Sequence, residues 1–368
     1  MRFVSTILKR VAYPSLKGVG HFHSTKRTGV AVITYHGVLP SRYRQIDPGF
    51  DGSLITADTF RRQLRLLKRN YAVISPEDML HWCRHEVELP PRAALLTCDD
   101  GFLNNLTEML PILQEEELRC LFFVTGASAR EQRSMLWHEE LFLLLIRAPQ
   151  GSFRIVHGEI EVAGSLEERE QRRSVWWNTV KRLSRVDAQN RTAFMKAAHS
   201  YFGLQPAVDF FLDTYPEAER HFCLLTRAEL QRLSAAGMTI GAHTMTHPIL
   251  ACLPPELVES EIVESRTHLE NVVGKKIWAL AYPFGDAASV TSREVAIAKQ
   301  AGFEAAFLNI GGGLGQHLPP HAIPRVHVNA GMRLPEFEAH VSGFYEALQR
   351  WRRPNPAIEA PILESACT

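Results

Sequence analysis

Six cysteines are scattered through 368 residues, with no Cys-x-x-Cys pair among them. A disulfide framework is therefore excluded as the organising principle, cysteine-bound zinc is disfavoured, and reduced thiols are expected. Nowhere does an apolar run approach the ~20 residues needed to cross a bilayer. The longest candidate, Leu141 to Ile146, is short and flanked by charge. Net charge is only +1 and no basic stripe is interleaved with aromatics, so nothing points to a nucleic-acid partner. The basic start, Met1 to Arg10, has its apolar stretch broken by Lys9 and Arg10 and lacks the features of a secretory signal. Residues 1–28 hold six lysines and arginines and no acidic residue, and read as a flexible leader able at most to touch an anionic membrane surface weakly. The expectation is a cytoplasmic protein, membrane-associated only peripherally.

What remains is an ordinary globular composition, with 45% hydrophobic and 22% charged residues. Short apolar strand-type segments (29–36, 93–97, 120–125, 238–240, 277–282, 305–308 and 322–328) alternate with segments of helical spacing, the pattern of βα units on a parallel sheet. From 128 to 225 the rhythm breaks into a mostly helical stretch with a Trp176-Trp177 pair and one alternating segment, 153–162, that reads as a hairpin. The fold class is α/β: a distorted (β/α)7-type barrel over 29–345, carrying a mainly helical insertion at 128–225 and followed by a tail, 346–368. In such a barrel the chemistry lies at the C-terminal ends of the strands.

Several polar residues fall there. Asp99 and Asp100 close an apolar run, and Gly101 supplies the turn that lets the two carboxylates diverge. An Asp-Asp-Gly surface turn is common, but His243-Thr-Met-Thr-His247 follows another strand. Two histidines and a carboxylate form a divalent-metal set that leaves a position open. No glutamate follows the first histidine, so the base must come from elsewhere, and either aspartate fills that need. Tyr282-Pro283-Phe284-Gly285 also ends a strand; its rigid turn could aim the Tyr282 amide at a developing oxyanion and offer a ring for sugar stacking. His36 and His327 are further polar candidates near strand ends.

Together these motifs resemble the polysaccharide deacetylases of the NodB-homology type, a carbohydrate esterase family. Thr97-Cys98-Asp99-Asp100-Gly101 stands where the family has Thr-Phe-Asp-Asp-Gly. His243–His247 matches its His-(Ser/Thr)-x-x-His motif, Tyr282–Gly285 its Tyr-Pro-x-Gly turn, and Tyr35-His36 its early Tyr-His segment. The resemblance implies that Asp100, His243 and His247 hold a divalent metal, zinc by preference, and that Asp99 is the base activating the attacking water. It implies N-acetyl groups on a sugar, glycan precursor or polysaccharide as the target, with Tyr282, Pro283 and Gly285 at the substrate and Arg325 either contacting substrate or orienting a carboxylate. His36, then His327, is the choice for the general acid. Cys98 departs from the family aromatic and is expected to pack away from the site. The arginine often found upstream of the third motif is absent, and Pro324-Arg325-Val326-His327 is the nearest stretch to the family's late Leu-x-His motif. Another amidohydrolase or deformylase, or an inactive carbohydrate-binding relative, are the alternatives.

Overall fold

The computed structural model describes residues 12–18, 22, 29–41, 43, 53–209, 216–311 and 319–352. Its strands are β1 (Val30–Tyr35), β2 (Val38–Leu39), β3 (Ile55–Thr56), β4 (Ala72–Val73), β5 (Ala93–Cys98), β6 (Leu121–Val124), β7 (Ser152–His157), β8 (Ile160–Ser165), β9 (Thr239–Ala242), β10 (Ala279–Ala281), β11 (Ala305–Phe307) and β12 (Val326–His327). The main sheet runs β11-β10-β9-β6-β5-β1-β12, with β4 added beside β5, and every pairing in it is parallel. Ile323, just ahead of β12, bridges Phe307 of β11. Since β12 itself pairs with β1, that bridge joins the two edges and curls the sheet into the expected (β/α)7-type barrel.

Helices α1 (Tyr13–Gly18), α2 (Ala57–Asn70), α3 (Pro76–Cys83) and α4 (Leu110–Glu115) precede the insertion. The insertion holds α5 (Trp137–Arg147), the β7–β8 hairpin, α6 (Arg169–Leu183), α7 (Ala188–Phe202) and α8 (Pro216–Phe222). After it come α9 (Arg227–Ala235), α10 (Pro255–Val273), α11 (Ser292–Gln300), α12 (Leu334–Val341) and α13 (Phe344–Arg352). Local chemistry starts several of these helices. Thr56 caps α2, and Ser75 with Asp78, Thr226 with Glu229 and Thr291 with Glu294 form reciprocal capping boxes.

Alternation along the strands sorts the core into two sets. Val30, Val32, Leu95, Phe123, Ala281 and Phe307 pack together inside the barrel. Their neighbours Ile33, Tyr35, Leu96, Cys98, Phe122 and Leu280 pack outward beneath the helices. The insertion has a cluster of its own, built from α5, the hairpin, α6 and α7 around Leu144, Phe153, Val180 and Phe194.

The structure corrects one expectation. Within the supposed flexible leader, Tyr13–Gly18 is a helix: Tyr13 and Phe22 are buried against Ala339, and Lys17 pairs with Glu338 at 3.0 Å. The rest of the leader lies outside the described residues. The last two helices, α12 and α13, are separated where Gly343 takes φ 66°. The segment 104–117 opens with a π-helical turn, Asn105–Met109, before α4. The tail beyond 352 lies outside the described residues. The five cysteines described are all free thiols, and among the described residues no helix is long and apolar enough to cross a membrane.

Candidate active site at the C-terminal ends of the barrel strands

Most of the site is the inward register of the strands carried one step past their ends. Val30, Val32 and Thr34 lead to His36, Ala93, Leu95 and Thr97 lead to Asp99, and Gly241 leads to His243. The amide of Asp99 still donates to the Tyr35 carbonyl (2.9 Å) and that of His243 to Val124 (3.0 Å), so both side chains inherit the sheet's geometry. Asp100 would face outward on parity alone. Its φ of 76° turns it back, and Gly101 at φ 83° completes the turn; a Cβ on Gly101 would meet Val124 Cγ1 at 2.8 Å.

As a result Asp100, His243 and His247 converge, with one ligand atom from each lying within 4.8 Å of the others, and all three residues are buried. Nε2 of His243 and Nε2 of His247 both stand 3.4 Å from Asp100 Oδ1. The other nitrogen of His243, Nδ1, donates to the Ala281 carbonyl at 2.7 Å, which leaves Nε2 as the free donor atom facing the cluster. Two imidazole nitrogens and one carboxylate oxygen, with one imidazole held in its tautomer from behind, fit a divalent cation such as zinc. Burial pushes the Asp100 carboxyl up, but the two imidazoles and His36 outweigh it and hold it well below the usual carboxylate range.

Asp99 is held differently. Arg325 grips it with two parallel hydrogen bonds of 2.7 Å, donates to the Leu308 carbonyl at 2.9 Å, and is itself buried. Burial alone would raise the Asp99 carboxyl; Arg325, with His243 and His36, reverses that and keeps it ionised. Of the two expectations for Arg325, substrate contact or orientation of a carboxylate, the geometry matches the second, since its guanidinium turns inward to Asp99 and the Leu308 carbonyl.

Tyr282 requires a correction. Its amide donates to Phe307 in the sheet (3.0 Å), so it cannot serve an oxyanion here. Its ring, on the outward register with Leu280, is buried in the outer core, and its hydroxyl donates to the His321 carbonyl. Pro283 and Gly285 are also buried and shape the turn; a Cβ on Gly285 would meet the Asn309 amide nitrogen at 2.5 Å. That turn presents Phe284, whose ring lies 5.1 Å from the His247 ring. Sequence reasoning passed over Phe284 although it sits inside the motif.

His36 and His327 stack edge to face, 4.9 Å between ring centroids, and neither Nδ1 has a hydrogen-bond partner. Burial, then the neighbouring His36, pushes His327 down to about 3, so its ring is uncharged at neutral pH. Cys98 packs outward near Met109 Sδ (3.6 Å), away from the cluster as expected.

The insertion also reaches the site, through residues that sequence reasoning did not single out. His138, at the start of α5, lies 5.0 Å from the His247 ring, and the Trp137 indole makes a long hydrogen bond to the His247 carbonyl. Arg191 of α7 stacks on Trp137 (4.9 Å) and donates to Thr246, whose amide and hydroxyl are in turn bound by Glu261 of α10. Asp100, Thr244, His247 and Phe284 are four of the eight described non-glycine residues at positive φ. Such strain, about 1–3 kcal/mol each, gathers where surrounding packing imposes a geometry.

In fold, this curled parallel barrel is similar to those of solved deacetylases. PplD, a Streptococcus pyogenes deacetylase solved in complex with acetate, superposes with a TM-score of 0.52 at 14% identity, covering 86% of this chain and 99% of that one. IcaB from Ammonifex degensii gives 0.52 at 17% identity, covering 86% and 98%. At these identities the likeness speaks for the fold. In sequence, residues 204–306, which hold both histidines and the Tyr282–Gly285 turn, match the polysaccharide deacetylase family model. YxkH of Bacillus subtilis (strain 168), a polysaccharide deacetylase by name, is 25% identical over 117 residues, 32% of this chain. The match spans 41% of that curated relative's length. The chain's likeness in sequence to the polysaccharide deacetylase family rests on residues 204–306.

Proposed function

We propose that the protein is a metal-dependent hydrolase that removes N-acetyl groups from an N-acetylated sugar, in a glycan precursor or a polysaccharide. The observation that carries this reading is the pairing of two differently held carboxylates. Asp100 faces His243 and His247 as a ligand would, while its neighbour Asp99 is kept ionised by Arg325 and has no place among the ligand atoms. A divalent ion held by Asp100, His243 and His247 supplies Lewis-acid activation of water and of the acyl oxygen. Asp99 then takes the proton from the attacking water, with Arg325 fixing its orientation through both oxygens. His36 delivers a proton to the leaving amine: it is close enough to both aspartates to lower their pKa values, and its partner His327 is held neutral. Phe284, rather than Tyr282, provides the ring beside the reacting group.

The test is acetate release from N-acetylglucosamine oligomers by purified protein, before and after chelation and with zinc restored. Release that disappears on chelation and returns with zinc supports the reading. Metal content that is unchanged in both His243→Ala and His247→Ala would remove the ligand assignment.

A further inference from the structure

The rings around the cluster do not end at Phe284. Trp177 of α6, 43% exposed, lies 6.2 Å from the Phe284 ring at 61°. Its neighbour Trp176 turns inward: its indole donates to the His138 carbonyl at 2.7 Å and its ring packs on Phe142. One tryptophan of the pair therefore anchors α6, and the other is left facing solvent beside the site. Phe284 is only half-buried, although its backbone is held at φ 59° on a turn that tolerates only glycine behind it. One side of Phe284 packs against the insertion's apolar cluster, and the rest of the side chain stays accessible.

The series Trp177, Phe284, His247, with centroid steps of 6.2 and 5.1 Å, runs from the surface to the ligand cluster, and His138 borders it 6.2 Å from Phe284. Building on the deacetylase reading, we propose that Trp177 and Phe284 form a stacking wall for a pyranose ring of the N-acetylated glycan, so that the helical insertion is a substrate-recognition element. A pyranose has an apolar C–H face and a rim of hydroxyls. Two aromatic faces edged by imidazole hydrogen-bonding groups match that combination better than they match an acyl chain.

Isothermal titration of the metal-stripped full chain with the N-acetylglucosamine tetramer tests the wall without turnover. Trp177→Ala is expected to weaken binding about five- to tenfold, while Trp177→Phe, which keeps an aromatic face, stays within about threefold of the parent. Because Trp177 is largely solvent-facing, the alanine variant should retain the parent's circular dichroism. Binding by Trp177→Ala within about twofold of the parent, or no binding of the tetramer by the parent, overturns the proposal. The two readings separate cleanly. Zinc-dependent acetate release with Trp177-independent binding sinks the wall alone, whereas Trp177-dependent binding without any release sinks the catalytic reading alone.

Discussion

In the barrel, the residues that meet at the site leave their strands in step: His36, Asp99 and His243 each continue an inward register two residues long per repeat. In the insertion, Trp137, His138, Trp177 and Arg191 arrive from three helices that share no period with one another or with the sheet. The first set is positioned by backbone hydrogen bonds to neighbouring strands, the second by side chains packed and bonded across the gap. A scaffold that fixes atoms through its backbone suits the reacting groups, and one that fixes them through side chains suits groups that select what comes near. Barrel substitutions should accordingly strike turnover or folding, and insertion substitutions binding and local stability.

The largest effect is expected at Asp99. Asp99→Asn should lower acetate release by about 10²–10⁴-fold while metal content, measured by atomic emission, stays at the parent level. Lost metal would instead make Asp99 part of the ligand set. Next comes its clamp: Arg325→Ala strands a buried carboxylate and should cost about 3–5 kcal/mol in urea unfolding. A change under about 1 kcal/mol would mean that water replaces the guanidinium. On the insertion side, Arg191→Ala removes a buried, charge-assisted tether to Thr246 and should cost about 1.5–3 kcal/mol. If it also empties the metal site, the division between the two regions fails.

The smallest effect belongs to Glu304, which receives hydrogen bonds from Arg84 and Lys276. Those bonds, Arg84's first and against a burial cost, hold Glu304 at about 2, below its ordinary value of 4.5. A depressed carboxylate stabilises the fold fully above the unfolded pKa and loses that contribution as pH falls through the folded one. The stability difference between the parent and Glu304→Gln should therefore be present at neutral pH and shrink below about pH 4.5. An equal difference at pH 7 and pH 3 would show that Glu304 acts by packing instead.

The same division explains what could be read in the sequence. Period-two alternation makes His36, Asp99 and His243 legible as strand-end residues, and the histidine spacing makes His247 legible beside them. Asp100 is readable as a candidate, but its direction is not, because it depends on one positive φ rather than on parity. Tyr282 and Phe284 were weighted the wrong way round: the sheet pairing runs one residue further than the motif suggests, consuming the Tyr282 amide and pointing its ring outward. Arg325 is visible as a buried cation in waiting, yet its duty is set by a carboxylate 226 positions away. His138, Trp177 and Arg191 carry no local signal, since helix-on-helix packing alone decides which of their neighbours they meet.

That separation between Asp99 and Arg325 also orders the birth of the site. Asp99 belongs to the second full-length strand, whereas Arg325 arrives only with the last strand, the one that joins the sheet's two edges. Until then the carboxylate lacks its counter-charge and cannot be buried cheaply, so the interior stays open to water however complete the earlier βα units are. Closing the barrel and pairing the Asp99 carboxylate therefore rest on the same stretch of chain, and a chain cut short of Arg325 is expected to lose both together.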